Sequence, residues 1–317
     1  MINSVRNTVL SILNKNNYGY ISPSDFNLFA KQAQMDIFNS YFGQYNDQIN
    51  KENARISGVD YADIRKDIEE NIDIFSVNNP LRLFSSNKYF LPSLSTTGDQ
   101  FRMITKIESY VTLLSSGITT AIAVANNECE DSSATFLEDG VSAGDVVALT
   151  VLGVVEYVTV ISVTETVITT TGVVWSIIGT AYAVYRTSRK EAERVSNSRI
   201  HLLTSFNFIG PKTTQPAYTQ EGELAVMYPE EINTVGRVRA QYIRYPKDPK
   251  WTFIELTSGE PVFDQSPSDY MDFELPVSAE MILVSIVLQY AGMSIREITA
   301  VQFGQAKEQS EDIQVKK

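Results

Sequence analysis

The residues whose spacing best fits a chemical site lie in the stretch NKNNYGYISPSDF, at positions 14–26. If Asn14 is loop position 1, a glycine stands at position 6 and Asp25 at position 12, which is the outline of a helix–loop–helix calcium site. Such a loop needs side-chain oxygens at positions 1, 3 and 5, where this chain has Asn14, Asn16 and Tyr18. One carboxylate, one methylene shorter than glutamate, is too little charge for a divalent ion. We therefore expect a turn between two helices and no metal site.

The two candidate nucleophile or base residues are isolated in the sequence. His201 is the only histidine, so a two-histidine metal motif cannot form, and we interpret it as a partly buried structural residue beside a leucine pair. Cys129 is the only cysteine and has acidic neighbours in NNECED. Those neighbours raise the pKa of its thiol, so we interpret it as an unreactive surface-loop residue.

Neighbouring carboxylates are the remaining candidates for acid–base chemistry. Glu230 with Glu231 and Asp269 with Asp272 have the composition of a glycosidase pair. Carboxylates that are neighbours in sequence are far more often solvent-exposed surface residues, and we interpret both pairs as surface residues. We expect no catalytic, cofactor-binding or metal-binding residues in this chain.

The composition disfavours several classes of protein. The chain has 317 residues, a net charge of −12 and a pI of about 4.7, which disfavours broad contact with nucleic-acid phosphates and favours solubility and basic partners. A single cysteine allows no intramolecular disulfide. The apolar run from Val146 to Val163 contains Glu156 and many threonines, so we expect two buried strands and no membrane span. The N-terminus lacks the features of a signal peptide.

Helical spacing dominates the first quarter of the chain. We expect a helix at residues 4–13, a long helix that begins at Pro23 with Ser22 as its N-cap, and a third helix at residues 60–75. The long helix should end within residues 46–53.

Strand patterns follow. Residues 88–92 and 102–114 predict strands, and in the second Met103 and Ile107 should face one way and Lys106 the other.

The last third of the sequence mixes helix and strand signals. Helical spacing returns at residues 188–203 and is followed by a second β region with prolines at its turns. Two helices should close the chain. Ser278 should cap the first and Gly292 should end it, and Ser294 with Glu297 should form a capping box for the second.

These patterns predict an α+β fold. A helical host domain with β strands is formed by both chain ends, and it carries an inserted small all-β module, a barrel or a sandwich. The expected division is residues 1–116 for the N-terminal helical part with the first strands and 117–186 for the inserted β module. Residues 187–317 then supply a helix, a β region and the C-terminal helices that complete the host.

Two groups of side chains are candidates for contacts with partners. The long helix has more large aromatic residues than one buried stripe requires, so it is a candidate subunit interface, with core packing as the alternative. Basic residues around YIRYPKDPKW are candidates for a partner or DNA contact, with a sheet face and a turn as the alternative. The aromatic group is Phe26, Phe29, Phe38, Tyr41, Phe42 and Tyr45; the basic group is Arg237, Arg239, Arg244, Lys247 and Lys250.

Three stretches together resemble a structural protein from the neck of crAss-like tailed bacteriophages. They are ILNKNNYGYISPSDFNLFAKQAQMDIFNSYF at residues 12–42, QYIRYPKDPKW at 241–251 and DFELPVSAEMILVSIVLQYAGMSIRE at 272–297. The resemblance covers both ends of the chain and does not cover residues 117–186.

The resemblance implies a non-enzymatic virion protein without a cofactor. It implies a homo-oligomeric ring, dodecameric, that sits on the portal protein between capsid and tail and is assembled in the host cytoplasm. As a head-to-tail connector it would extend the DNA channel and dock further neck or tail proteins, and double-stranded DNA would pass without sequence-specific binding. An acidic channel wall would repel the phosphates. The alternative, suggested by the Tyr and Trp content of the β regions, is a tail-associated host-surface or glycan-binding module.

Overall fold

The computed structural model describes residues 1–14, 21–55, 64–123, 127–151, 154–172, 178–205, 210–257 and 259–295, and the protein is α+β, as the sequence predicts. Five α-helices lie in the described residues: α1 (Ile2–Asn14), α2 (Pro23–Arg55), α3 (Ile64–Asp73), α4 (Asn197–Ser205) and α5 (Glu280–Ile295). The first nine strands are β1 (Ser76–Pro80), β2 (Leu83–Ser85), β3 (Lys88–Phe90), β4 (Phe101–Tyr110), β5 (Leu113–Ile118), β6 (Ala121–Ala123), β7 (Glu128–Glu130), β8 (Val146–Val151) and β9 (Val154–Val163). The remaining strands are β10 (Val167–Thr170), β11 (Ala181–Tyr185), β12 (Arg189–Arg194), β13 (Ala217–Glu221), β14 (Leu224–Tyr228), β15 (Val238–Arg244), β16 (Phe253–Glu255) and β17 (Pro261–Phe263).

The chain divides into two compact units. Residues Met1–Phe75 and Pro246–Lys317 form one, here called the helical unit, which contains α1, α2, α3, α5 and the β16–β17 hairpin. Residues Ser76–Tyr245 form the other, here called the strand unit.

The start of α2 confirms the predicted cap. The Ser22 Oγ accepts a hydrogen bond from the Asp25 backbone N–H at 3.1 Å, and the Ser22 carbonyl accepts one from Phe26 N–H at 2.9 Å. These contacts satisfy donors that a helix N-terminus leaves open, and Pro23 supplies a helical φ without a donor of its own. The helix continues to Arg55, past the predicted end.

The predicted end of the C-terminal helix is wrong. The helix α5 begins at Glu280, directly after a 3-10 helix at Val277–Ala279, and passes through Gly292 to Ile295. A glycine inside a helix costs only about 1 kcal/mol relative to alanine. Leu288 and Ala291 of the same helix are fully buried, and their packing outweighs that cost. The second helix predicted beyond Ser294 lies outside the described residues.

The strand unit contains an eight-stranded sheet in the order β1-β15-β4-β12-β13-β14-β3-β2. Only β12 and β13 are parallel; the other neighbours are antiparallel. Residues 189–194 are therefore a strand, and the helix predicted for 188–203 is wrong over its first half. The sequence RKEAER has good helix formers, but Ala192 is buried against Ile107 of β4, so tertiary pairing overrides local propensity.

The predicted alternation along β4 fails at two bulges. Pairing with β15 skips Thr105 and Arg102, so the strand changes its phase relative to the sheet. Met103 is consequently exposed, whereas Ile104 packs with Ile107 on the buried face.

The second sheet of the strand unit has seven strands in the order β5-β11-β8-β9-β10-β7-β6. Its two edge strands, β5 and β6, follow each other in the chain with only Thr119 and Thr120 between them. Backbone hydrogen bonds continue through these residues, from Thr119 N–H to Thr180 and from Thr120 N–H to Glu130. The sheet therefore curls back on itself as a small closed barrel, with apolar side chains of β7 to β11 filling its interior.

The loop between β14 and β15 is bound by side chains of both sheets. Tyr89 comes from the eight-stranded sheet and Tyr157 and Tyr185 from the barrel, and burial raises the pKa of all three hydroxyls, which keeps them as donors. They donate to three consecutive carbonyls: Tyr89 to Thr234 (2.9 Å), Tyr185 to Val235 (2.6 Å) and Tyr157 to Gly236 (2.7 Å).

Gly236 allows the closest approach in this loop. Its φ is +72°, and a Cβ atom there would lie 2.4 Å from the Ala148 Cβ and 3.1 Å from a Val155 methyl group. Both the backbone conformation and the contact with the barrel therefore require glycine.

We expect Gly236→Ala to lower the free energy of unfolding of the strand unit by about 3 kcal/mol, from a left-handed conformation plus overpacking. The matched control is Gly222→Ala, where φ is +61° but no atom lies within 4 Å, and where we expect a loss of about 1 kcal/mol. Urea denaturation followed by circular dichroism measures both. Equal losses would show that the contact with the barrel contributes nothing.

A carboxylate is buried inside the barrel. Asp131 accepts hydrogen bonds from the Tyr182 hydroxyl at 2.6 Å and from the Ser133 hydroxyl and N–H at 2.6 and 2.9 Å. Burial alone would raise the pKa of Asp131, but these hydrogen bonds outweigh burial and lower it below the usual 3.8. Gly117 leaves the space for this pair, since a Cβ there would lie 2.4 Å from the carboxylate.

Because the folded state favours ionised Asp131, its stabilising contribution is complete at neutral pH and disappears as the pH falls through its lowered pKa. We expect Asp131→Asn to cost about 2 kcal/mol at pH 7 and much less at about pH 3. Urea denaturation of both proteins at the two pH values tests this, with Tyr182→Phe as the variant that removes one donor and keeps the charge. A difference that does not change with pH would contradict the assignment.

Candidate interaction surfaces

The β16–β17 hairpin of the helical unit exposes apolar side chains on one face. Ile254 and Val262 are cross-strand partners, and they are 58% and 45% exposed; Leu256, next on the same face, is 50% exposed. The opposite face is anchored, because the Phe253 and Phe263 rings stack on buried Trp251 at 5.5 and 6.0 Å. Neighbouring exposed aliphatic side chains on an anchored hairpin are typical of a surface that binds another protein.

The charge around this hairpin has one sign. Residues 251–295 contain seven acidic residues and no lysine or arginine. Within the stretch, Asp269 pairs with Lys250 and Asp272 with the N-terminal ammonium group at 3.0 Å. Strand alternation puts Glu260 on the apolar face with Val262 and Glu255 on the anchored face with Phe253, and both glutamates are exposed. The hairpin surface, defined here as Ile254, Leu256, Glu260 and Val262, is therefore apolar with one acidic residue.

The aromatic residues of α2, the candidate subunit interface, are largely used inside the helical unit. Phe26, Phe38 and Tyr41 are buried in its core, and core packing, the alternative reading, describes these three. The other three are half-buried and contact neighbouring elements: Phe29 stacks on Tyr290 with ring centroids at 6.3 Å, Phe42 packs edge-on against Phe38 at 5.2 Å, and the Tyr45 hydroxyl donates to Glu69 at 3.0 Å.

Arg237, a candidate DNA contact, is buried. Its guanidinium donates to the carbonyls of Tyr110 (3.1 Å), Val111 (3.0 Å) and Glu231 (2.6 Å). The first two carbonyls lie where the chain leaves β4 for the barrel, and the third lies in the loop before β15. Arg237 is thus a structural residue, and its side chain does not reach solvent.

The rest of the basic group is divided between the two units. In the strand unit, Arg239 donates to Asn78 and lies 4.8 Å from the ring centre of Tyr157, and the Arg244 side chain donates to the Tyr245 carbonyl at 3.2 Å. In the helical unit, Lys250 pairs with Asp269, and Lys247 is exposed and donates its backbone N–H to Glu274 at 2.8 Å.

The isolated chemical candidates are placed as follows. Residues 15–20 of the stretch at 14–26 lie outside the described residues. His201 is exposed on α4, so the expected partial burial is wrong, and Cys129 is fully buried in β7 rather than in a surface loop. Burial, followed by the nearby Asp131, raises the pKa of the Cys129 thiol to about 12. In the described part of the chain no cluster of three or more His, Cys, Asp or Glu side chains could hold a metal ion.

One motif was missed in the sequence. Residues 140–144, GVSAG, match the G-x-S-x-G pattern of a nucleophile elbow. The structure places Ser142 in a turn before β8, where its N–H and hydroxyl donate to Asp145 at 2.9 and 3.1 Å and Arg186 donates to its Oγ. A strand-to-helix elbow is not formed there, and Ser142 stabilises a turn.

No protein-family model matches the chain, and no curated protein matches it with significant sequence similarity. Among the residues that the structure describes, no helix combines the length and apolar character needed to cross a membrane.

The burial of Arg237 predicts that its side chain contributes to the stability of the strand unit. We expect Arg237→Ala to lower the free energy of unfolding by about 3 kcal/mol, because it leaves three carbonyls without their donor. Arg239→Ala, the half-buried control on the same strand, should cost about 1 kcal/mol or less. Thermal unfolding of the two variants and the wild type measures both losses of stability. A loss of duplex binding in Arg237→Ala without a loss of stability would contradict the structural role.

Proposed function

We propose that this chain is a ring-forming structural protein of the neck of a tailed bacteriophage. In this role it is a head-to-tail connector that extends the portal channel and docks further neck or tail proteins, and it performs no catalysis. The resemblance of residues 12–42, 241–251 and 272–297 to crAss-like neck proteins supplies the identity of the assembly. The observation that carries the proposal is the hairpin surface, since exposed aliphatic residues on an anchored hairpin are explained by a protein partner.

The proposal assigns different roles to the two units. All three resembling stretches fall largely in the helical unit, which both chain ends build, so we assign ring formation to this unit as the host domain. The barrel then corresponds to an inserted all-β module. Its attachment through the loop at 232–236 favours a fixed part of the subunit over a mobile binding module.

The distribution of charge supports a conduit for DNA. The helical unit has 13 basic and 22 acidic residues, so it carries −9 of the net charge of −12. A ring built from such units repels phosphates, which allows a duplex to pass without sequence-specific binding. The burial of Arg237 and the ion pair of Lys250 with Asp269 agree with this role.

The test is imaging of the purified protein, alone and mixed with the portal protein of the same virus. We expect rings with a central hole, twelve-fold when seated on the portal, and density for this chain in the neck of the virion. Monomers that never associate with the portal, together with a virion neck that lacks this chain, would disprove the proposal. Binding of the free monomer to a glycan array would favour the alternative host-surface role.

A further inference from the structure

A second surface has the opposite charge pattern from the hairpin surface. Residues 194–220 of the strand unit contain Arg194, Arg199 and Lys212 and no acidic residue. The chain has 38 acidic and 26 basic residues, yet this stretch has no acidic residue and the stretch 251–295 has no lysine or arginine. The two stretches are thus segregated by sign.

The described part of this basic stretch is built around α4. The helix is held by Ile200, which is buried against Val195 and Ala217, so its other side faces solvent. Leu202 on that side is 62% exposed, and Arg199 and His201 beside it are exposed as well.

A cleft of about 540 Å³ lies next to α4, lined by His201, Thr204, Pro211, Lys212, Tyr228 and Pro229 among others. The α4 surface is defined here as Arg199, His201, Leu202 and Lys212. Glu230 also lines the cleft, and Glu193 is exposed just before α4 in the sequence.

We infer that the hairpin surface of one copy docks on the α4 surface of a neighbouring copy, an inference that rests on the proposed ring. Ile254, Leu256 and Val262 would cover Leu202 and the cleft, and Glu260 would face Arg199 and Lys212. Apolar contact excludes water and the rim charges fix orientation, the usual division of roles in an interface.

The pairing joins two different surfaces. A contact of this kind can repeat head to tail, and repeated head-to-tail contacts close into a ring when the rotation between copies allows it. Two identical acidic surfaces would repel each other, so the hairpin surface is unsuited to a symmetric self-contact.

Disulfide cross-linking between two separately prepared variants tests the pairing. One preparation carries Ile254→Cys and the other Leu202→Cys, so a mixed disulfide reports only contact between copies. The native Cys129 does not interfere, because it is fully buried and its pKa is raised. The two preparations carry different affinity tags, and mass spectrometry identifies the linked peptides.

Two control pairs use exposed apolar positions outside both surfaces. They are Val277→Cys with Leu202→Cys, and Ile254→Cys with Ile161→Cys. We expect the mixed disulfide to form in clear excess over both controls under mild oxidation. A yield equal to the controls would overturn the pairing, whatever the association state of the wild-type protein.

Charge reversal provides the second arm. We expect Glu260→Lys and Arg199→Glu/Lys212→Glu each to reduce the cross-linking yield on the order of tenfold, and the two reversed surfaces to restore it when paired with each other. Circular dichroism of each variant checks that it is folded. Rings that persist unchanged in the reversed variants would overturn the pairing and leave the ring proposal standing. A specific cross-link in a protein that never forms a ring would support the pairing and disprove the connector.

Discussion

The strand unit depends on one loop, residues 229–237, whose carbonyls are bound by side chains of two separate sheets. Three tyrosine hydroxyls and the Arg237 guanidinium supply the donors, and most of these groups are buried. A buried donor that loses its acceptor has no water to replace it. Breaking one of these hydrogen bonds therefore costs more free energy than breaking a solvent-exposed one. The loop therefore fixes the barrel to the eight-stranded sheet, and the two behave as one body.

This constraint limits what the strand unit can do. The tyrosines of the barrel and the buried arginine are occupied with internal contacts, so they do not form the aromatic and basic platform that a glycan or nucleic acid would need. One face of the eight-stranded sheet carries charges that compensate each other. There Glu108 accepts Lys106 at 2.7 Å and Arg189 at 3.3 Å, and the hydrogen bond from Lys106 lowers the pKa of Glu108. Groups that neutralise each other at this distance leave little net field for a ligand.

Local signals in the sequence predicted two elements correctly, whereas the helix stop predicted at Gly292 was wrong. Ser22 and Pro23 define the start of α2, and the strand that ends before Pro92 is present as β3. Elements that depend on distant partners were not predictable in this way. RKEAER becomes a strand only because β4 and β13 lie on either side of it, and the bulges at Arg102 and Thr105 arise from pairing with β15. The burial of Arg237 has the same origin, because its three acceptors come from the β4–barrel junction and the loop at 229–237.

The separation of acidic and basic stretches, by contrast, can be read from the sequence, but its consequence for surfaces can be judged only from the fold. The acidic run at 251–295 and the basic run at 194–220 are visible by counting, but the count does not show which residues are exposed. The structure shows apolar side chains beside both sets of charges, on a hairpin anchored by Trp251 and on a helix held by Ile200. Two surfaces of one chain that are both apolar and opposite in charge allow association in series as well as a reciprocal pairing across a two-fold axis. In the proposed assembly, the angle between successive copies decides whether the chains form a ring or a filament.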